Sequence, residues 1–334
     1  MQYKHFYQIL SVALLTVFAI FPANAQDPDD IIRTETSLVQ LNIGVVDKQG
    51  RAVTSLTKND FVIYEDGVKQ SIQLFEPVEA PFSLVLMLDM SGSTINFRQQ
   101  LKLASQRFLD ALAPDDRVSV IQFNKEVKSL TGFTVDREKT AYAIEIANGA
   151  GETHFYNALK FALKELEKEG KRRKAIVVLT DGLDTHLRNT DRATLSKAQT
   201  DEEALATIKP DTSAELNNVL ASADRQGVTI YPLALPSGDP KRLPIPTPNI
   251  IGIYAAARAR MQSLADRTGG RLNEINNLQY MAQLYREVAA NLRTLYTVGY
   301  QPAGDRPRGK WHDIKVEVAQ SDLTARTKPG YFAR

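Results

Sequence analysis

Leu84-Val85-Leu86-Met87-Leu88-Asp89-Met90-Ser91-Gly92-Ser93 is the stretch around which the rest of the chain is organised. An unbroken apolar run from Leu84 to Leu88, with neither Gly nor Pro, spells a strand buried on both faces, as in a parallel sheet covered by helices. It runs directly into an acid and two hydroxyls. Asp89, Ser91 and Ser93 alternate along the chain, at the carboxyl end of a strand, where open α/β sheets collect ligands in one crevice. Asp and Ser are also common turn and cap residues, so Asp-x-Ser-x-Ser alone is weak evidence and gains weight only from partner residues further along the chain.

From Phe82 onward, apolar strands alternate with amphipathic helices. A helix to about Leu112 places Phe97, Leu101, Ala104, Phe108 and Leu112 at helical spacing, with Pro114 closing it. A strand at 118–123, a hairpin strand at 127–133 and helices at 137–147 and 155–168 come next. Ala175 to Thr180 is then a second buried strand ending in an acid, Asp181. Further on, a helix at 214–225, a strand at 228–235, a helix at 254–266, a short strand at 271–274 and a helix at 278–294 complete the pattern. This predicts an α/β domain over 82–292, doubly wound around a mostly parallel sheet. Two stretches break the alternation and read as insertions: the polar residues 186–212, and residues 236–250, which carry prolines at 236, 240, 244, 246 and 248.

Both ends of the chain read differently from its middle. Lys4, an apolar run from Ile9 to Phe21 broken by Ser11 and Thr16, and Ala23-Asn24-Ala25 predict a signal peptide over residues 1–25, cleaved after Ala25. The apolar core is shorter than the ~20 residues of a spanning helix, so no membrane span is expected in the mature chain. The expectation is an exported protein, periplasmic, surface-bound or secreted, with residues 26–36 a polar lead-in. Residues 37–77 alternate with period two and read as three strands, two of them flanking a hairpin turn at Asp66-Gly67. Asp60, Glu65 and Asp66 read as turn and loop carboxylates in preference to calcium ligands. Residues 295–334 hold further short strands at 295–300, 311–318 and 323–327. Strands at both ends need partners, and pairing 37–77 with 295–334 in one small β-sandwich satisfies both sets.

Composition narrows the function classes. With 334 residues and 43% hydrophobic content the chain can build a full core without staples. Lys and Arg total 41 against 39 Asp and Glu, a balance that gives no footprint for nucleic acid or a membrane surface. The absence of cysteine excludes disulfides, thiolate metal sites and Cys nucleophiles.

Three separate places now present oxygen ligands at strand ends or helix-starting loops: Asp89-x-Ser91-x-Ser93, Thr153 after Gly149-Ala150-Gly151, and Asp181. Their order and setting resemble the von Willebrand factor A domain with its metal-ion-dependent adhesion site, over roughly residues 82 to 290. The resemblance implies that Asp89, Ser91, Ser93, Thr153 and Asp181 surround one divalent cation, directly or through water. It implies further that a protein partner's Asp or Glu carboxylate completes the coordination. Two carboxylates, three hydroxyls and water suit Mg²⁺, a hard cation wanting about six oxygens, with Mn²⁺ or Ca²⁺ as alternatives. The layout, with Gly330-Tyr331 near the end, also resembles bacterial exported von Willebrand factor A-related proteins.

Other readings of the same residues stand beside this one. Ser91, Ser93 and Thr153 can be helix caps, and Asp181 a turn acid. Asp184 reads as a solvated loop acid, and His154 and His186 lack a third ligand for zinc. Catalysis has little support. A dehalogenase-type phosphatase wants a second Asp where Ser91 stands, Gly149-x-Gly151 is followed by His154 where a dinucleotide loop wants Gly, and no Gly-x-Ser-x-Gly elbow occurs. The expectation is therefore a non-catalytic binder, with a metal-free module using sandwich edges, or a metal-dependent hydrolase, as alternatives.

Overall fold

The computed structural model describes residues 38–170, 172–236, 246–275, 280–302 and 307–333. The expected signal peptide and lead-in lie outside the described residues, as does part of the proline-rich stretch. The described chain opens with β1 (Val39–Val46), the hairpin of β2 (Phe61–Glu65) and β3 (Val68–Gln70), and β4 (Ile72–Glu76). It then enters a central sheet made of β5 (Phe82–Asp89), β6 (Arg117–Phe123), β7 (Val127–Thr134), β8 (Arg173–Thr180), β9 (Val228–Ala234) and β10 (Asn273–Glu274). These lie in the order β10-β9-β8-β5-β6-β7, parallel except for the antiparallel edge strand β7.

Every residue of β5 and of β8 is buried, the outcome expected of apolar runs with helices on both faces. Alternate side chains serve opposite cores. Leu84, Leu86 and Leu88 pack with Leu101 and Phe108 of α1 (Arg98–Asp110) and Tyr285 of α8 (Met281–Leu292). Val85 and Met87 face α3 (Phe155–Glu167), α6 (Ala214–Gln226) and α7 (Pro248–Thr268) through Leu159, Leu163, Val219 and Leu264. Each such side chain taken from water contributes roughly 1.5–3 kcal/mol. The two strands that end in Asp89 and before Asp181 are thereby anchored along their whole length. From β5 the chain turns first to β6 on one side, then returns to β8 on the other. The reversal of strand order falls between β5 and β8, the place where such sheets open a crevice.

The remaining helices are α2 (Arg137–Ile146), α4 (Thr185–Thr194) and α5 (Asp201–Thr207). The polar stretch 186–212 is therefore largely helical, since one buried edge with Leu187, Leu195 and Ala204 suffices to dock it near Ile253 of α7. Nor does α7 wait until Tyr254. It starts at Pro248, whose missing N–H costs nothing in the first turn, with Thr247 as its cap. Among the described residues no helix is long and apolar enough to cross a membrane.

The outer strands form two antiparallel sheets around a core of their own. With β11 (Leu295–Tyr300), β12 (Trp311–Val318), β13 (Thr324–Arg326) and β14 (Gly330–Phe332), the orders are β13-β1-β11-β4 and β14-β12-β2-β3. Tyr296 joins them, its ring 5.1 Å from Phe61 and its hydroxyl accepting from Leu56 N–H and donating to Val53 O. Two details depart from expectation. The turn at Asp66-Gly67, both with positive φ, joins β2 to the short β3, while β4 crosses to the other sheet and pairs with β11. Glu65 is no loop acid: it is buried, and its Oε2 accepts the hydroxyls of Tyr300 and Tyr331 at 2.5 and 3.0 Å.

Arg173, fully buried at the start of β8, marks the joint between the central sheet and these outer strands. Nη1 donates to the carbonyls of Val78 and Ala80 at 3.0 Å, and Nη2 to those of Leu292 and Leu295. Entry to and exit from the central sheet thus converge on one guanidinium, which also lies 4.0 Å above the ring of Phe82.

Candidate metal centre

Asp89 is the last residue of β5, and Asp181 comes directly after the last residue of the adjacent β8. The parallel register that pairs Leu88 with Leu179 brings Thr180 alongside Asp89. Thr180 Oγ1 donates to Asp89 Oδ2 at 2.7 Å, and the Ser91 N–H donates to Asp89 Oδ1 at 2.9 Å, so both carboxylate oxygens are held. Ser91 Oγ lies 3.1 Å from Ser93 Oγ, and the Ser93 hydroxyl favours the ionised form of the Asp181 carboxylate. Thr94 Oγ1 donates to the carbonyls of Asp89 and Ser91, locking the 3-10 turn Gly92–Phe97.

The third contributor is joined through its backbone. Thr153 N–H donates to Thr185 Oγ1 at 3.0 Å, and Thr153 O accepts the Thr185 N–H at 2.9 Å, tying it to the loop after Asp181. Gly92 N–H donates to Gly151 O at 2.9 Å, tying the same segment to the Asp89 loop. Three loops are thus stitched edge to edge at one end of the sheet. The Ser91 and Ser93 side chains meet, Asp89 is held by the Ser91 N–H, Asp181 follows the neighbouring strand, and Thr153, also buried, is joined through its backbone. Gly182 shows why the turn after Asp181 needs glycine: its φ is +81°, and a Cβ there would lie 2.4 Å from Met261 Cε.

The capping alternatives do not describe this geometry. Ser91 precedes the 3-10 turn yet makes no side-chain cap bond, and at the start of α3 the cap position belongs to His154, with no cap bond either. Asp184 is the residue that caps: its carboxylate accepts from His186 N–H and Leu187 N–H at the start of α4 and from Tyr156 N–H of α3. It is buried in that role, where a solvated loop acid was expected, because two helix starts converge on it. His154 pairs with Glu152 at 3.6 Å. Asp181 keeps a turn bond as well, from Leu183 N–H at 3.0 Å.

Charge is the unusual feature. Burial, followed by the neighbouring charge of Asp181, pushes the Asp89 carboxyl up to about 7. Burial likewise raises Asp181, against the hydrogen bonds from Ser93 and Leu183 that favour its ionised form. Among the described residues neither acid makes an ion pair within 4.0 Å, and no cluster of three or more His, Asp or Glu side chains is placed to hold a metal. The donors here are two carboxylates and neutral hydroxyls. Hard oxygens of that kind fit a hard divalent cation, and two buried carboxylates with no ion-pair partner, Arg258 acting on Asp181 only from a distance, are what such an ion would neutralise. Thr180 and Thr94 were not apparent as site residues, since their importance depends on cross-strand register.

Residues 84–183 match the model of the von Willebrand factor type A domain family, a span that begins in β5 and encloses Asp89, Ser91, Ser93, Thr153 and Asp181. The fold is von Willebrand factor A-like, with antiparallel sheets added at its ends. Similar solved structures include a von Willebrand factor type A protein from Catenulispora acidiphila, 13% identical over 81% of this chain and 73% of that one, TM-score 0.48. The vWF domain of the type V pili tip protein Mfa5 from Porphyromonas gingivalis is 14% identical over 68% of this chain and 98% of its own, TM-score 0.48. Proximal thread matrix protein 1 from the mussel byssus, with a zinc-occupied MIDAS motif, is 14% identical over 68% of this chain and 49% of its own, TM-score 0.42. No curated protein sequence matches the chain.

Proposed function

We propose that this is an exported, non-catalytic binding protein. It holds a divalent cation, Mg²⁺ in the first instance, through Asp89, Ser91, Ser93, Thr153 and Asp181, and presents it to the Asp or Glu carboxylate of a protein partner. The observation that carries the reading is the pair of buried acids at the strand-order reversal, Asp89 held by the Ser91 N–H and the Thr180 hydroxyl beside the paired hydroxyls of Ser91 and Ser93, with neither acid in an ion pair among the described residues. Bound there, the cation would supply a positive centre whose few anionic ligands leave it attractive to one more carboxylate. The protein's own contribution is rigidity, since both acids stand at the ends of strands buried throughout. Export is read from the basic, apolar and Ala-x-Ala segments of residues 1–25. Domains of the matched type often mediate protein interactions, in keeping with a binder.

Calorimetric titration of Mg²⁺ into the protein and into Asp181→Ala tests the reading. Saturable one-site binding that disappears in the variant is expected. Equal heats in both proteins, or no binding of Mg²⁺, Mn²⁺ or Ca²⁺ by the unaltered chain, would refute it and favour recognition through the outer sheets.

A further inference from the structure

We propose that Arg98 is the positioning residue of this site, clamping the Asp89–Ser93 loop onto the 147–153 loop so that ligands from two separate elements keep one spacing. The inference rests on the cation reading above. Arg98 opens α1, and its Nη2 donates to the carbonyls of Met90 at 3.1 Å, Ser91 at 3.3 Å and Gly149, while Nη1 donates to Asn148 Oδ1 at 2.9 Å. One planar group therefore bonds to both loops at once, a task that suits the rigid fork of a guanidinium and not the point charge of a lysine.

The opposite side of the 147–153 loop has separate anchors at the end of β6. Gln122 exchanges two hydrogen bonds with the backbone of Asn148, at 2.8 and 3.0 Å. Asn124 Nδ2 donates to Ala150 O at 2.9 Å, and Asn124 O accepts the His154 N–H at the same distance. The end of β6 holds the other loop at Met90, whose N–H donates to Phe123 O at 2.8 Å, but none of these bonds reaches Ser91 or Ser93. The two loops approach so closely that a Cβ on Gly149 would lie 2.8 Å from Met90 O. Arg98 closes that seam beside the bond from Gly92 N–H to Gly151 O.

Electrostatics alone argues against an arginine in this place, because a positive charge near a cation site repels the incoming ion. A charge acting at a distance and a geometric clamp therefore predict opposite effects of its removal. Loss of the charge alone would tighten Mg²⁺ binding. Loss of the clamp weakens it, by the 10–100-fold typical of residues that orient metal ligands.

The test compares the full chain with Arg98→Gln and Arg98→Lys, using Mg²⁺ calorimetry together with hydrogen exchange in chelator. Faster exchange confined to 89–97 and 147–153, with 173–180 unchanged, and a 10–100-fold loss of Mg²⁺ affinity are expected for Arg98→Gln. Arg98→Lys should behave much the same, having kept the charge and lost the fork. Unchanged exchange in those loops, equal or tighter Mg²⁺ binding by Arg98→Gln, or loosening that spreads through 173–180 would each overturn the assignment. If the unaltered chain takes up no Mg²⁺ while Arg98→Gln still loosens both loops, the cation reading falls and the clamp stands.

Discussion

Replacing Asp89 with Asn should stabilise the metal-free protein at alkaline pH and abolish cation binding. The carboxyl of Asp89 is raised from 3.8 to about 7 by burial and by Asp181. At about 1.4 kcal/mol per pH unit, its ionised form costs the folded state roughly 4 kcal/mol at high pH. Below about pH 4 the group is protonated folded and unfolded, so the wild type is least burdened there. Stability relative to the Asn variant is then lost as pH rises toward and through 7. Asn keeps an acceptor for the Ser91 N–H but turns its amide toward Thr180, whose hydroxyl hydrogen loses its acceptor, a cost of roughly 1–2 kcal/mol. A net gain of roughly 2–3 kcal/mol at about pH 8.5 remains, shrinking to a small loss at about pH 4. Urea unfolding in chelator at both pH values reads it directly. Saturating Mg²⁺ should reverse the order, since ligand at a thousandfold excess over its Kd stabilises only the wild type, by about 4.1 kcal/mol. An Asn variant less stable than wild type in chelator at the alkaline pH would show that Asp89 is a structural anion whose charge the fold compensates.

Other sites give independent checks. Asp191→Ala leaves Arg260 buried without the carboxylate that now binds it at 2.7 and 2.8 Å, and should cost about 3–5 kcal/mol in denaturant unfolding. The double variant Asp191→Leu with Arg260→Met should recover most of that loss; no recovery would mean the pair does more than fill space. Gly182→Ala should lower the melting temperature by several degrees and weaken Mg²⁺ binding, because its φ of +81° and its contact with Met261 both oppose a side chain. Tyr296→Phe keeps the ring packing but orphans Leu56 N–H and Val53 O, so it should cost about 1–3 kcal/mol by denaturant unfolding while leaving Mg²⁺ affinity unchanged.

The central sheet was legible because its strands are buried on both faces, and burial on both faces leaves an unbroken apolar run such as Leu84 to Leu88 or Ala175 to Leu179. The candidate acids were legible for a related reason, each standing where such a run stops. What escaped was non-local. The turn at Asp66-Gly67 is a local signal, but β3 lasts only three residues, and nothing in Ile72 to Glu76 says that the strand belongs to the sheet of β11. In α4 a single apolar edge is too sparse to register as helical periodicity. Thr180, Thr94 and Arg98 carry no motif: their partners sit on other strands and loops, and only register and packing bring them together.

The pairing of β1 with β11 has a consequence for how the chain folds. Val39 finds its partner in Tyr300 only after the whole central sheet has been made, so the ladder between them closes an exceptionally long loop. The α/β domain has mostly nearer partners and can fold during synthesis. Until β11 emerges, β1 is an apolar strand with both edges open, and Leu41, Ile43 and Val45, buried in the final structure, remain exposed to water and to other chains. The most aggregation-prone interval in the life of this protein therefore comes after its central sheet has formed and before its outer strands have met.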